Sequence, residues 1–596
     1  MFKLHLYTLA GLALALNPLQ AYDKDLETLY PESTMLYGRV DNITKLSKID
    51  KDHPISNLIK NKAFKSYLFG GIDEESDETE LQKEMLLFLT KHCRERASLG
   101  LLGVGIGMDN NETTNSKDSQ QVKVGFNLSN LNGGITVDCS ATQEELEALL
   151  KFAKENSGSI KDVINEEFEG VPYSIIELSA EEQLEDARNQ AGEDIEAEQT
   201  IDKLFIVLTD ELLIITNKEE NLKDFIGKVI APSKEKTLAD NPKYQDIADQ
   251  LKKYDLSAYV RLDQVYKILI ENEETSLLNY LDESPQLKLF ISADAVKKDL
   301  HLDAFDSAFW GAKLTEEGGD LKSGYSVISK EGIANLFQYD KNIPEIPNYA
   351  FEGFKSMSVS SYDFEGNYAQ LEKLISKVSP MGFMAAKAQF GDVYALAKTN
   401  LFENVEPYYV TLSGHIDSDL QTKRTSSKVH VFKVKNAERI HELIAKIKED
   451  ELAKDITTLE FMGEKVYKMS ASDGLSYYAA VVKNFLVVTQ TSEDAMWRHV
   501  ISQIKNPGKT IASHKALIDM WDSMKNEEVS RSYNDIGQLI MDGYFEQKSV
   551  LAQIGEDAED MPDVSELHYS LVSKFYQEEN FWYSEMKLKD YTPHKK

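Results

Sequence analysis

Hydrophobic and polar positions alternate in short runs along this chain, and several runs open into a helical stripe. From Leu36 to Val40 the period is two, with Leu36, Gly38 and Val40 on one face and Tyr37 and Arg39 on the other. From Ala258 to Leu262 it recurs, with Ala258, Val260 and Leu262 opposing Tyr259 and Arg261. Period two predicts half-buried strands. Asp41 and Asp263 follow, and beyond them Ile43, Leu46 and Ile49, and Val265, Ile268 and Leu269, recur at helical spacing. A Tyr-x-Arg-apolar-Asp element is thus written twice. The pattern predicts that each Asp caps a helix N-terminus, and that Tyr and Arg lie on the sheet surface with the Arg stem over the ring. The competing reading is a recognition pair.

The repeat extends well beyond this element. Leu146, Leu149, Leu150 and Ala153 form a stripe repeated by Ile440, Leu443, Ile444 and Ile447. Glu167-Phe168-Glu169-Gly170 is matched by Glu460-Phe461-Met462-Gly463, where each glycine marks a strand reversal. The hairpin Leu204–Leu208 with Leu212–Thr216 corresponds to Tyr477–Val481 with Phe485–Thr489. Looser copies of the strand-into-helix element start at Met357 and Tyr533. Closing hairpins are expected at Leu287–Ala293 with Leu300–Phe309, and at Leu567–Phe575 with Phe581–Leu588. Pro344 and Pro347 mark the joint. The expected fold class is α+β. Two homologous halves, 22–340 and 341–596, would each consist of antiparallel β-sheet hairpins covered by amphipathic helices. Between the two copies of the hairpin register, the first half gains an acidic insertion, 180–200, expected to be solvated and partly helical.

Composition narrows the classes. The 596 residues hold 66 basic and 100 acidic side chains, a net charge of −34. That excludes a nucleic-acid partner, which needs a basic footprint, and adsorption to anionic headgroups. Residues 1–21 read as a signal peptide: Lys3, an apolar run from Leu6 to Leu16, and Leu19-Gln20-Ala21 before the cut. No later stretch reaches spanning length. The expected location is periplasmic or secreted, with an uncut, membrane-tethered N-terminus as the alternative. Cys93 and Cys139 are the two cysteines. In an oxidising compartment a disulfide between them is one reading and two free thiols the other.

Motifs for chemistry fail on spacing. His441-Glu442 starts a zinc-protease pattern, but Ala445 stands where the second His belongs. Gly103-Val-Gly-Ile-Gly107 lacks the Lys-Ser/Thr of a phosphate loop. Ser502 with Lys505 and Ser584 with Lys587 have nucleophile-pair spacing without companion motifs. Asn42, Asn111 and Asn127 start glycosylation triplets. No catalytic, cofactor-binding or metal residues are expected, and no cofactor.

Three phrases carry a family resemblance: Pro31-Glu-Ser-Thr leading into Met-Leu-Tyr-Gly-Arg-Val-Asp-Asn42, a hairpin ending Leu213-Ile-Ile-Thr-Asn217, and Thr237-Leu-Ala-Asp-Asn-Pro-Lys-Tyr244 before a strand from Asp255. In these the chain resembles an uncharacterised family of large exported bacterial proteins. The resemblance implies an envelope location and no enzyme activity, and it carries over no functional residues. The expectation is an exported, non-catalytic envelope protein acting as a binding or interaction module, with an apolar-ligand carrier as one form. A scaffold for envelope partners, or a hydrolase assembled only in three dimensions, are the alternatives.

Overall fold

The computed structural model describes residues 25–41, 43, 53–61, 80–103, 132–179, 201–209, 211–231, 235–271, 278, 291–336, 339, 343–414, 428–449, 456–470, 476–491, 495–524, 528–544, 564, 567 and 569–591. The signal peptide, the acidic insertion and the three glycosylation triplets' asparagines lie outside them.

Two compact units gather the chain. The first holds residues 1–50, 73–283 and 305–314; the second holds 51–72, 284–304 and 315–596. Strands of the first unit, in chain order, are β1 (Leu36–Val40), β2 (Cys93–Gly103), β3 (Asn132–Cys139), β4 (Ile160–Phe168), β5 (Val171–Leu178), β6 (Lys203–Leu208), β7 (Leu212–Thr216), β8 (Leu256–Arg261) and β9 (Phe305–Thr315). They pair antiparallel in the order β4-β5-β6-β7-β3-β2-β1-β8-β9.

The second unit begins with β10 (Gly318–Val327). It continues with β11 (Ser356–Ser361), β12 (Val405–Ser413), β13 (Lys428–Val434), β14 (Thr457–Phe461), β15 (Glu464–Ser470), β16 (Ser476–Val482), β17 (Phe485–Thr491), β18 (Ser530–Asp535), β19 (Ser570–Glu578) and β20 (Phe581–Lys589). Its order is β14-β15-β16-β17-β13-β12-β11-β18-β19-β20-β10. From β14 to β19 this is the order of the first unit, strand for strand. The repeat in the sequence is therefore a repeat of topology.

The expectation of an α+β fold in two homologous halves is corrected: all twenty described strands belong to one antiparallel sheet, and the mixed fold is organised around it. The hairpin expected at Leu287–Ala293 with Leu300–Phe309 lies further on, at β9 and β10, and Ala293–Asp299 is a helix. The far strand of that hairpin then pairs with β20. Alternation identifies a strand and says nothing of its neighbour, so the pattern could not exclude this continuation.

Local rules hold where they were readable. The β4–β5 turn has Glu169 at φ 55° and Gly170 at φ 83°; the β14–β15 turn has Met462 at φ 50° and Gly463 at φ 80°. Two positive φ values in a two-residue loop match the right-handed twist of the flanking strands.

In each unit two helices cover the centre of one sheet face. In the first, the helices Glu219–Ile230 and Pro242–Leu251 press Phe225, Tyr244, Ile247 and Leu251 down onto it. Gly134 sits under Phe225, where a Cβ would come within 2.7 Å of that ring. In the second unit Trp497, Val500, Ile501, Leu517 and Trp521 cover Met357, Val359, Val410, Leu412 and Tyr533.

Candidate functional site

The repeated element folds into the covered face of the first unit. Tyr37 and Tyr259 stand directly opposite each other on β1 and β8, and both are buried. They belong to an edge-to-face chain of rings: Phe225 to Tyr30 at 5.2 Å, Tyr30 to Tyr37 at 5.2 Å, Tyr37 to Tyr244 at 5.8 Å and Tyr244 to Tyr259 at 5.3 Å. Such contacts add about 0.5–1.5 kcal/mol each beyond area burial. The expectation that these tyrosines lie on the sheet surface is thus corrected. Both faces of β1 carry apolar side chains, so alternation alone does not say which face the helices take.

The arginines are clamped by carboxylates. Arg39 donates through Nε to Asp41 and through Nη1 to Glu27 at 3.4 Å, and the Glu27 side chain is 3 % exposed. Arg261 forks onto Asp263 at 3.2 and 2.8 Å, and Lys243 reaches the same carboxylate at 3.1 Å and also binds Asp306. Asp263 is no cap: its helix, Leu262–Tyr266, starts one residue earlier, and the cap residue Arg261 makes no capping side-chain bond. Sequence spacing placed Asp at a helix start correctly, but the neighbouring Arg outcompetes the helix N–H groups for it. At Asp41 only Ile43 of the expected helix is described.

The two aspartates differ in sign. Burial alone would raise Asp263, but the bonds from Arg261 and Lys243 outweigh it and hold the carboxyl at about 2, against 3.8 ordinarily. Asp41 stays above its ordinary value, because burial, with Glu27 adding to it, exceeds what Arg39 supplies. A depressed carboxyl stabilises the fold above its unfolded pKa, and that contribution is lost as pH falls through the folded one. We therefore expect Asp263→Asn to lower stability at pH 7 and to flatten the loss between pH 4 and 2. Asp41→Asn should leave that acid limb in place. Denaturant melts across pH check both; an unchanged acid limb in Asp263→Asn would remove this account.

Cys93 and Cys139 are register partners on β2 and β3, with Cα atoms 4.0 Å apart, and their sulfurs are joined.

The opposite sheet face carries a feature that alternation alone did not single out. In the first unit, the side chains at directly opposed positions across β3, β2, β1, β8 and β9 are Ile135, Leu99, Gly38, Ala258 and Trp310. The helices Glu80–His92 and Gln143–Asn156 cover the neighbouring Val137, Ile176, Ile206, Leu208 and Leu213. The row itself is half-buried, and Trp310 is 38 % exposed. In the second unit the equivalent row, across β13, β12, β11, β18 and β19, is His430, Thr411, Ser358, Ser532 and Ser573. All five are half-buried. Topology and covered face persist between the repeats, while this row changes from apolar to hydroxylic. The signal was present in the period-two serines Ser356, Ser358, Ser360 and Ser530, Ser532.

The other sequence candidates come apart. Lys505 donates to Glu464 at 2.8 Å and to the Met462 carbonyl at 2.6 Å, so its ammonium serves an ion pair. Ser584 and Lys587, three apart on β20, point to opposite faces. His441 Nδ1 lies 3.5 Å from the Tyr467 hydroxyl. Among the described residues no three His, Cys, Asp or Glu side chains are grouped to hold a metal, and no helix is long and apolar enough to cross a membrane. A groove of 660 Å³ in the second unit, with Met520, Lys587, Lys589, Asp590 and Tyr591 in its lining, is charged at its rim and includes neither row.

No family model matches the chain, and no curated protein does. Among solved structures it is similar to TP0453. Crystal form III aligns at 7 % identity and a TM-score of 0.26, over 55 % of this chain and 90 % of that one. Crystal form I aligns at 7 % identity and 0.23, over 53 % and 84 %. Similarity at that level supports no conclusion about fold or function.

Proposed function

We propose that this is an exported, non-catalytic binding protein of the cell envelope, and that its first unit carries an apolar ligand on the open sheet face. The family resemblance in the sequence and the signal-peptide pattern support the location. One observation supports the ligand class. The row Ile135, Leu99, Gly38, Ala258 and Trp310 is apolar and only partly covered, although the helices beside it bury their own neighbours. Apolar surface left accessible at the centre of a sheet, rimmed by packed helices, suits an acyl chain or a similar flat hydrophobe. Gly38 gives that row a shallow floor, since no side chain rises from the central strand.

Two measurements test this. Native mass spectrometry of protein purified gently from its own host should show added mass that denaturation releases. A dansyl-labelled undecanoic acid should bind saturably and quench Trp310, which is the one tryptophan of the first unit. Trp310→Lys, which places a charge on the row, should weaken that binding about tenfold or more, equivalent to about 1.4 kcal/mol. A clean apo mass together with no saturable probe binding would overturn the reading.

A further inference from the structure

The second unit's open face is built for a different chemistry from the first's. Its central row runs over five adjacent strands, roughly 19 Å at ~4.8 Å per strand. Ser532 and Ser573 share a hydrogen bond of 2.7 Å, Ser358 meets Ser360 at 3.1 Å, Ser360 meets Ser530 at 2.9 Å, and Thr411 meets His430 Nδ1 at 3.0 Å. Asn534 donates to Ser532 at 3.3 Å and accepts from Ser356 at 2.6 Å. A hydroxyl offers one donor and two acceptor sites. Among the described residues Ser358 and Ser573 each use one side-chain bond. Half-buried hydroxyls keep access to solvent, so water or a hydrogen-bonding ligand can meet that remaining capacity.

The adjacent row supplies the other half of the recognition. It reads Phe432, Tyr409, Ser360, Ser530, Phe575, Ser584 and Ser323 across β13, β12, β11, β18, β19, β20 and β10. Phe575 stacks on Trp582 at 5.3 Å, and Tyr339 sets its edge against both. Burial, with the phenols of Tyr325, Tyr409 and Tyr362 nearby, raises the Tyr339 hydroxyl above its ordinary pKa, so this end is aromatic and uncharged. His430 is pushed below its ordinary value by burial and by Lys428, so the imidazole is neutral at neutral pH. No Asp or Glu occupies either row.

We infer that this face binds a neutral, polyhydroxylated ligand, a short glycan segment, with sugar hydroxyls meeting the Ser/Thr/His row and pyranose faces lying on the aromatic end. An anionic ligand would meet no arginine on either row, and an acyl chain would strand the serine hydroxyls without partners. The comparison between repeats supplies the control: at the same five positions the first unit offers no hydroxyl.

The test is calorimetric titration of the full chain with maltoheptaose, cellohexaose and a β-1,4-linked N-acetylglucosamine hexamer. At least one should bind saturably. Ser358→Val/Ser532→Val keeps side-chain bulk close and favours strand structure, which offsets the lost serine–serine bonds, so the chain should stay folded with at most a small fall in melting temperature, while affinity drops about tenfold or more because the lost hydroxyls have no substitute. Trp310→Lys, on the first unit's row, should leave glycan affinity unchanged, which separates failure here from failure of the apolar-ligand reading. Absence of binding to all three oligosaccharides, or binding by the double variant within twofold of the wild type, would overturn the inference.

Discussion

Arg39→Met should lower the stability of the first unit by about 3–5 kcal/mol at pH 7, the range for removing one partner of a buried ion pair. Arg39 is 9 % exposed and Glu27 3 %. The substitution keeps the length of the aliphatic stem, so packing changes little and the deficit is electrostatic. It removes the Nη1 bond to Glu27 and the Nε bond to Asp41. Among the described residues Glu27 then keeps the Lys252 ammonium, at 3.5 Å on a side chain 38 % exposed. Asp41 loses the arginine that does most to offset its burial, with Arg96 contributing less, and its carboxyl lies above the ordinary value even in the wild type. A carboxyl with a raised folded pKa destabilises the fold when ionised, and the penalty disappears as pH falls below the unfolded value. The deficit of Arg39→Met should therefore be largest near neutrality and shrink toward pH 4. Arg39→Lys should fall between, since one ammonium cannot reach two carboxylates with fork geometry. Denaturant unfolding of the first unit, followed by Trp310 fluorescence, gives the values. A loss below about 1 kcal/mol would place the pair with surface bridges that contribute little.

The same residues mark where the sequence was informative. Period two located β1 and β8, and the shared offsets of Tyr, Arg and Asp revealed the repeat. What each residue does there depends on which face the helices cover, and β1 has apolar groups on both. Tyr37 and Tyr259 therefore read as surface and fold as core. The role of Asp263 went the same way, because local rules rank helix capping without seeing Lys243, twenty positions upstream. The turn residues Glu169-Gly170 and Met462-Gly463 were readable since a two-residue hairpin is a local object. The continuation of β10 onto β20 was not, as it joins positions more than 250 apart. The serine row lay in plain sight at Ser356, Ser358 and Ser360, but its meaning needed the five-strand register that aligns it with Ile135, Leu99, Gly38, Ala258 and Trp310.

Replacing both Cys93 and Cys139 by Ala should cost the first unit about 4 kcal/mol. The bond closes a 46-residue separation, and loop-closure entropy for a loop of that size amounts to about 4 kcal/mol at 25 °C. Both positions are buried, and they sit where the helix Glu80–His92 delivers the chain into β2 against Val137, Leu146 and Leu213. Alanine leaves little void there, so the cost lies chiefly in the freedom regained by the unfolded chain. Three consequences separate this from the Arg39 effect. Either single Cys→Ala variant should match the double variant, since one cysteine forms no bond within the chain. Reductant should lower the wild type to the level of the double variant and leave the double variant unmoved. The deficit should also be nearly flat with pH from 4 to 7, because no charge is exposed or buried by the change, whereas that of Arg39→Met slopes. A double variant as stable as the oxidised wild type would mean that the β2–β3 register and its cluster already hold these strands together in the unfolded ensemble.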